Sequence, residues 1–282
     1  MTTAPSTPFR WDEDRTAWWL AVADRREAQF VPVTEALFTA ADLQPDESVL
    51  DVGCGSGPTT IRAHRLVGPD GRVTGTDVSA GMITAAREAA TGLDLEWMLG
   101  DAQTTDFGEG RFDVILSRFG VMFFDDTAAA FANLSRACAP TGRLAVAVWK
   151  QVSEAPVFAI PRAAVAQVLI DAGLPVPDAT AGPGPTALGD PDTLVGLLHD
   201  SGWRDVVVDG PDVPMYVEGG LSPAEAATIA LNGPTGRLLT GQPEPIQVAA
   251  REAVTAAFAE RWDGAGVLVH GGFWIVTARP AA

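Results

Sequence analysis

A glycine-rich loop after an apolar run is the segment whose residue types point most directly to chemistry. Residues 49–52 read VLDV, and residues 53–57 read GCGSG ahead of Pro58. Glycine is needed where the backbone turns with positive φ or lies against a ligand with no Cβ between them. Pro58 stands where a dinucleotide-binding loop requires its third glycine, and Asp51 would repel a pyrophosphate but can accept hydrogen bonds from an ammonium group. The loop therefore predicts close contact with a ligand other than a dinucleotide.

The elements that must position this loop follow an alternating pattern. Short runs rich in β-branched residues alternate with helical patterns between residues 48 and 150, which is typical of parallel βαβ units. Strands are predicted at 48–53, 72–78, 94–99, 112–118 and 143–150. Helix starts are predicted at Gly57, Ser79 and Asp125 or Asp126.

Outside these units the pattern predicts covering helices and a last pair of strands. Residues 15–43 are expected to form two helices broken near Pro32, and residues 175–191 read as a loop rich in proline and glycine. A final β-hairpin that includes GGFWIVTARP would complete the sheet. The predicted fold is α/β: a Rossmann-like, doubly wound, mostly parallel seven-stranded sheet with a helical substrate-covering region.

Composition narrows the classes of partner. The chain has 282 residues, 47% of them hydrophobic, and its 19 basic against 36 acidic side chains give a net charge of −17. This charge disfavours nucleic acid and anionic membranes as partners, and no apolar run approaches the length of a membrane span. Together with the polar start of the sequence, this predicts a cytoplasmic protein. Cys54 and Cys138 lie far apart, and the histidines show no ligand spacing, so no metal site is expected.

Five segments in register resemble the motifs of the class I S-adenosylmethionine-dependent methyltransferases, of the type that acts on small molecules. They are DVGCGSG at 51–57, GTDVS at 75–79, GDA at 100–102, SRFGVMFF at 117–124 and PTGRL at 140–144. The resemblance implies S-adenosyl-L-methionine as cofactor. It also implies three regions: an N-terminal helical lid at 1–43, the cofactor-binding core at 44–150, and the rest of the sheet with an inserted helical substrate cap at 151–282.

The resemblance assigns roles to individual positions. Asp77 would bind both ribose hydroxyls and Asp101 the adenine amino group, and Met82 could pack on the adenine. The alternatives are that Asp77 caps a helix, Asp101 is a turn residue and Met82 belongs to the core. The full set of implied cofactor-binding residues is Asp51, Gly53, Cys54, Gly55, Gly57, Asp77, Val78, Met82, Gly100, Asp101, Ala102, Ser117, Arg118 and Phe119.

Aromatic residues indicate the acceptor side of the reaction. By analogy with this fold, Trp18, Trp19, Phe119 and Phe123 are expected to bind a small, apolar or flat acceptor, such as a secondary metabolite. The alternative is that the tryptophans only pack on the sheet. In-line methyl transfer needs alignment more than a dedicated catalytic group, so no catalytic residue is assigned.

Five side chains are weak candidates for a general base, and other functions remain open. His64, His199 and His270 are the histidine candidates, with Tyr216 and Glu218 as further ones. A lyase, cyclase or pericyclic-type catalyst on the same fold, or a non-enzymatic binding subunit, is the alternative function. The oligomeric state is also open, with a homodimer among the alternatives.

Overall fold

The computed structural model describes residues 11–177 and 184–281 and contains a seven-stranded central sheet. Its strands, together with those of a small second sheet, are β1 (Ser48–Val52), β2 (Arg72–Asp77), β3 (Glu96–Leu99), β4 (Phe112–Arg118), β5 (Cys138–Trp149), β6 (Trp203–Asp209), β7 (Pro214–Tyr216), β8 (Leu268–His270) and β9 (Phe273–Pro280). The helices are α1 (Glu13–Ala21), α2 (Ala23–Ala41), α3 (Pro58–Val67), α4 (Ala80–Ala89), α5 (Thr127–Ala137), α6 (Pro156–Asp171), α7 (Pro191–Asp200), α8 (Pro223–Asn232) and α9 (Glu244–Ala259).

The order of strands in the large sheet is β3-β2-β1-β4-β5-β9-β6. Strands β1 to β5 pair in parallel, and β9 runs antiparallel to both of its neighbours, β5 and β6. The predicted Rossmann-like, mostly parallel seven-stranded sheet is confirmed. The strand order reverses between β1 and β4, and in such sheets the crevice at the carboxyl ends of the strands is where ligands bind.

Burial and capping explain why these segments take these forms. Val114, Ile115 and Leu116 in β4 have no exposed surface, as expected of a parallel strand covered on both faces. The Ser79 hydroxyl accepts a hydrogen bond from the Met82 amide at the start of α4, and Asp126 caps α5 in the same way through the Ala129 amide. These helix starts lie where the sequence placed them.

The predicted break near Pro32 is wrong. The two N-terminal helices are separated at Val22, and α2 continues through Pro32. A proline inside a helix removes one backbone hydrogen bond. The helix persists because Phe30, Val33 and Leu37, at most 3% exposed, bury its face on either side of the proline.

The final hairpin is only partly as expected. Strands β6 and β9 are antiparallel neighbours, but the chain between them carries α8 and α9 as well as β7 and β8, which pair separately. Helices α6, α8 and α9 pack together, and α2 contacts both β5 and β7. Residues 1–10 of the predicted lid and 178–183 of the predicted loop lie outside the described residues. No helix within the described ranges combines the length and apolar character required to cross a bilayer.

Candidate functional site

A cavity of about 1340 Å³ opens at the carboxyl ends of β1 to β5. One part of the lining, called here the sheet wall, is formed by residues at or after the ends of β1, β2 and β3, among them Gly53, Gly55, Asp77 and Asp101. Another part, called here the aromatic wall, carries the rings of Trp18, Trp19, Phe30, Phe119, Phe123, Trp149 and Phe158. A single space is therefore bordered both by polar backbone and carboxylates and by aromatic rings.

The glycine loop forms the centre of the sheet wall. Gly53, Gly55 and Gly57 have φ of +67°, +57° and +92°, which side chains rarely adopt. A Cβ on Gly53 would lie 2.6 Å from the Cα of Gly120, whereas one on Gly55 would meet nothing within 4 Å. Gly120 thus leaves no room for a side chain at position 53, and the absence of a side chain at Gly55 leaves the loop backbone open to the cavity.

Asp77 stands at the end of β2 with its carboxylate held in place. Its oxygens accept hydrogen bonds from the Gly55 amide at 3.0 Å and the Ser79 amide at 2.8 Å. Burial raises the pKa of the carboxyl, and these two hydrogen bonds oppose the rise. The N-cap of α4 is Ser79, so the alternative that Asp77 caps this helix does not hold.

The loop after β3 supplies the next part of the sheet wall. The Asp101 carboxylate accepts hydrogen bonds from the backbone amide and the side-chain amide of Gln103, each at 2.9 Å. Gly100, Ala102 and Val78 also line the cavity. Met82 is 2% exposed and reaches the same wall, so it belongs to the core and to the cavity at once.

Two N-terminal tryptophans and the residues after β4 meet on the aromatic wall. Phe119 has φ of +64° and stacks on Trp149 with ring centroids 4.3 Å apart and planes 4° apart. Trp11 contacts Trp19 at 5.4 Å and Phe123 at 5.6 Å between centroids. All four predicted acceptor-side residues therefore face one cavity.

Similarity to known proteins identifies this arrangement. Residues 49–142 match the family model described as a methyltransferase domain. The match assigns these residues, rather than the whole chain, to a methyltransferase domain family. The fit agrees with the chemistry of the walls, because a bare loop backbone and two fixed carboxylates suit a ligand that presents hydroxyl, amino and ammonium groups.

The chain matches two curated relatives over part of their length. Nocamycin O-methyltransferase of Saccharothrix syringae is 37% identical over 118 residues, which are 41% of this chain and 42% of that protein. Aklanonic acid methyltransferase DauC of Streptomyces sp. (strain C5) is 35% identical over 119 residues, 41% of this chain and 54% of that protein. The match thus spans about half the length of these relatives.

A solved structure matches over nearly the whole chain. The [4+2]-cyclase SpnF covers 99% of this chain and 89% of its own, with a TM-score of 0.52 and 18% identity. This likeness shows a shared fold beyond the methyltransferase domain itself.

Three predicted cofactor residues, Asp51, Gly57 and Ser117, do not line the cavity. Asp51 and Ser117 lie behind the sheet wall. Asp51 has no exposed surface, and one of its oxygens accepts hydrogen bonds from the hydroxyls of Thr59 and Thr60, each at 2.6 Å. Ser117 is equally buried and donates to the Val52 carbonyl at 2.7 Å. Both residues hold the loop from behind, because they tie β1 to α3 and to β4.

Cys54 and Arg118 line the cavity. The Cys54 thiol is kept protonated, and the Arg118 guanidinium is already bound by other side chains. Burial raises the pKa of the Cys54 thiol well above its usual value, so the residue stays protonated. The Arg118 guanidinium pairs with Glu27 of α2, donates to Thr34 at 2.7 Å and lies over the ring of Phe30. Arg118 therefore joins the end of β4 to the N-terminal helices.

The general-base candidates are separated by the structure. His199 is exposed near the end of α7, and His270 is exposed with its Nδ1 3.6 Å from Asp212. Neither histidine lines the cavity, and neither does Tyr216, whose hydroxyl donates to Asp263 at 2.8 Å. Glu218 does line it.

Two residues beside Glu218 were missed by the sequence analysis. Arg26 lines the cavity, with its guanidinium 5.3 Å from the Trp18 ring and 5.0 Å from the Trp19 ring, and it pairs with Glu218. Gln29, one turn further along α2, is 1% exposed. The one available signal was a run of polar residues on a helix otherwise packed by Phe30 and its neighbours.

Proposed function

We propose that this chain transfers a methyl group from S-adenosyl-L-methionine to a small, apolar or aromatic acceptor. One observation carries the proposal: the sheet wall and the aromatic wall border the same cavity. Bringing a methyl donor and an acceptor into one enclosed space converts a two-molecule reaction into an intramolecular one, which can supply about 7–11 kcal/mol of the barrier.

The sheet wall would hold the cofactor. Asp77 would accept hydrogen bonds from the ribose hydroxyls and Asp101 from the adenine amino group, with Met82 against the adenine. Gly55 would let the loop backbone approach without a Cβ in the way. When bound, the cofactor supplies an already activated methyl group, so the chain's own task is to orient the acceptor and exclude water.

The aromatic wall would hold the acceptor. The stacked pair of Phe119 and Trp149 and the ring of Phe30, 5.1 Å from Phe119, offer flat apolar surface. Trp18 and Trp19 would cover this space from the N-terminal side. The names of the two curated relatives, a nocamycin O-methyltransferase and an aklanonic acid methyltransferase, support an acceptor from secondary metabolism.

A cyclase or other pericyclic-type catalyst is the second candidate, favoured by the fold shared with SpnF over 99% of this chain. The two functions differ in what becomes of the cofactor. A methyltransferase produces one S-adenosylhomocysteine for each product, whereas a cyclase leaves S-adenosylmethionine unchanged.

The experiment is to incubate the protein with methyl-labelled S-adenosylmethionine and aromatic acceptors, and to measure S-adenosylhomocysteine and labelled product by mass spectrometry. Equal amounts of both are expected. Product without S-adenosylhomocysteine would favour the cyclase. Calorimetry with S-adenosylhomocysteine should show micromolar binding, about −8 kcal/mol, and an absence of binding would remove the proposal.

A further inference from the structure

Three polar side chains form a cluster where α2 meets the turn Val217–Gly219. We call Arg26, Gln29 and Glu218 the polar cluster. An Arg26 Nη atom lies 3.0 Å from Glu218 Oε1, and the Glu218 backbone amide donates to Gln29 Oε1 at 2.9 Å. Gln29 is 1% exposed and Glu218 5%. Residues 189 positions apart are thereby joined, and two members of the cluster, Arg26 and Glu218, line the cavity.

The polar cluster has hydrogen-bonding capacity that the protein itself does not use. Arg26 Nε, Gln29 Nε2 and Glu218 Oε2 are buried and have no hydrogen-bond partner among the described residues. They are three of the six such side-chain atoms in those residues, so the unused capacity is concentrated here. Each unpartnered buried group costs about 1–3 kcal/mol, so three together point to a partner that the protein chain does not supply.

The backbone under Glu218 is also held in a costly conformation. Glu218 has φ of 51° and ψ of 31°, in the left-handed region, within the 3-10 turn Val217–Gly219. A Cβ on Gly219 would lie 2.7 Å from the carbonyl oxygen of Arg25, so this turn is pressed directly against α2. Strain of this kind persists when surrounding packing imposes it, and it gathers at functional sites.

The cluster's position and its set of donors and acceptors define a ligand class. Arg26 and Glu218 line the cavity beside Trp19 and Phe30. On these two residues, the unused N–H donor of Arg26 and the unused carboxylate oxygen of Glu218 match a group that donates one proton and accepts a hydrogen bond on the same atom. A hydroxyl on a flat ring or an enol fits this pair. A carboxylate would be repelled by Glu218, and an ammonium group has no acceptor for the Arg26 donor.

We propose that Glu218 is the general base of the reaction and that the acceptor atom is the oxygen of a neutral phenol or enol. The inference rests on the proposed function. The hydroxyl proton passes to Glu218 Oε2 while the oxygen forms a bond to the methyl carbon. The electron pair of the broken carbon–sulfur bond stays on sulfur, leaving a neutral thioether. Arg26 Nε donates to the oxygen as its charge develops, and Gln29 holds the turn at Glu218 through the Glu218 backbone amide. Glu218 later releases the proton to water.

The electrostatics of the polar cluster agree with this role. Burial raises the pKa of the Glu218 carboxyl, and the positive charges of Arg26 and Arg25, both on α2, oppose the rise. A carboxylate whose pKa is raised binds a proton more strongly and is a better general base near neutral pH.

The first test compares two acceptors in Glu218→Gln. 2-Naphthol keeps its proton at neutral pH, whereas 4-nitrophenol ionises near it and needs less help from a base. We expect S-adenosylhomocysteine formation with 2-naphthol to fall by about 100-fold or more, and the rate with 4-nitrophenol to stay nearly unchanged. A purely structural role would reduce both rates equally. An equal loss, or no loss, would overturn the inference.

Two further variants guard this result. Glu225→Gln changes a carboxylate in the capping box at the start of α8, a position that glutamine fills equally well. This variant should retain full activity. Glu218→Asp keeps the carboxylate and suits the left-handed backbone, so its rate with 2-naphthol should lie between those of wild type and Glu218→Gln. Thermal melts establish that each variant is folded.

The second test needs no turnover. Quenching of tryptophan fluorescence measures binding of 2-naphthol and of naphthalene, which lacks the hydroxyl. Wild type should prefer 2-naphthol, and Glu218→Gln should reduce the preference by about tenfold, because a charged hydrogen bond is lost. No preference in wild type would overturn the inference. Failure of the proposed function would show separately, as absent binding of S-adenosylhomocysteine.

Discussion

The sheet wall borders the same cavity as Arg26 and Glu218 of the polar cluster, but the two regions are built in opposite ways. On the sheet wall, Asp77 is bonded to amides two and 22 positions away, within a strand, loop and helix that are continuous in sequence. In the polar cluster, Gln29 and Glu218 meet across 189 positions, and each keeps an unpartnered atom. The hydrogen bonds of Asp77 on the sheet wall are therefore formed before any ligand binds. The polar cluster instead has hydrogen-bonding atoms left over for a ligand.

This difference agrees with what each region would bind. A cofactor is the same molecule in every turnover, so a rigid seat on strand ends serves it well. An acceptor is recognised by a few polar atoms in a largely apolar space. The four variants that follow test this division between the two regions.

Gly53→Ala should have the largest effect, because it adds a Cβ 2.6 Å from the Cα of Gly120 at a φ of +67°. Calorimetry with S-adenosylhomocysteine should show affinity reduced by more than about 100-fold, or about 2.7 kcal/mol. Gly173→Ala is the control, since Gly173 also has φ of +67° but would meet nothing within 4 Å. Similar affinity in both variants would mean that the loop is not rigid.

Asp77→Ala should weaken cofactor binding by about 1.5–3 kcal/mol, because a charged acceptor of hydrogen bonds is lost. The melting temperature should change little, as Ser79 still caps α4. Asp106→Ala, which removes an exposed carboxylate, should leave binding unchanged. Normal affinity per folded Asp77→Ala molecule would assign this residue to the loop structure alone.

Trp18→Phe combined with Trp19→Phe should lower methyl transfer by about tenfold through weaker packing on Arg26, with cofactor affinity unchanged. Trp262→Phe is the matched control, because Trp262 is 40% exposed against 37% for Trp18 and lies outside the cavity lining. Full activity in the double variant would leave these tryptophans as packing only. Deletion of residues 1–30 is a less selective test, since it removes the buried Gln29 and Phe30.

Asp51→Asn should have the smallest effect, and it acts on stability. Burial raises the pKa of Asp51 in the folded protein above the unfolded value of about 3.9. Between the unfolded and the folded pKa of Asp51, the folded state holds a proton that the unfolded state has lost. The free energy of unfolding therefore falls as the pH rises through this range. Asn carries no charge, so the variant should melt at the same temperature or about 2–4 °C higher at pH 7.

The difference in melting temperature between Asp51→Asn and wild type should shrink as the pH is lowered toward the unfolded pKa of Asp51. Melting temperatures across this range, with Asp106→Asn as the exposed control, check the sign. A variant that is less stable than wild type at neutral pH would show that the charge of Asp51 is needed by Thr59 and Thr60.

The sequence predicted the sheet wall far better than the polar cluster. Gly53, Ser79 and Asp126 lie where their local chemistry required, because turns and caps depend on neighbours within a few residues. The break assigned to Pro32 was wrong because burial of α2 outweighed a local rule. Asp51 was expected to contact the cofactor, but its carboxylate is hydrogen-bonded to Thr59 and Thr60 behind the loop and does not line the cavity.

The polar cluster depends on where the turn at Glu218 packs, and no pattern in the sequence reports that. Glu218 was only one weak candidate beside His199 and His270, and the structure separates them by placing it on the cavity. Arg26 and Gln29 gave no signal of their own, since a polar residue on a helix usually faces water.

The position of β9 bears on how the chain reaches this form during synthesis. Among the described strands, β6 pairs in the large sheet with β9 alone, and β9 follows all the others in sequence. During synthesis, β1 to β5 can pair once residue 149 has emerged, but β6 has no partner until α8, α9 and the strands before β9 have also been made. Until then β5 and β6 each present an edge that no strand of the large sheet covers, and insertion of β9 between them covers both edges.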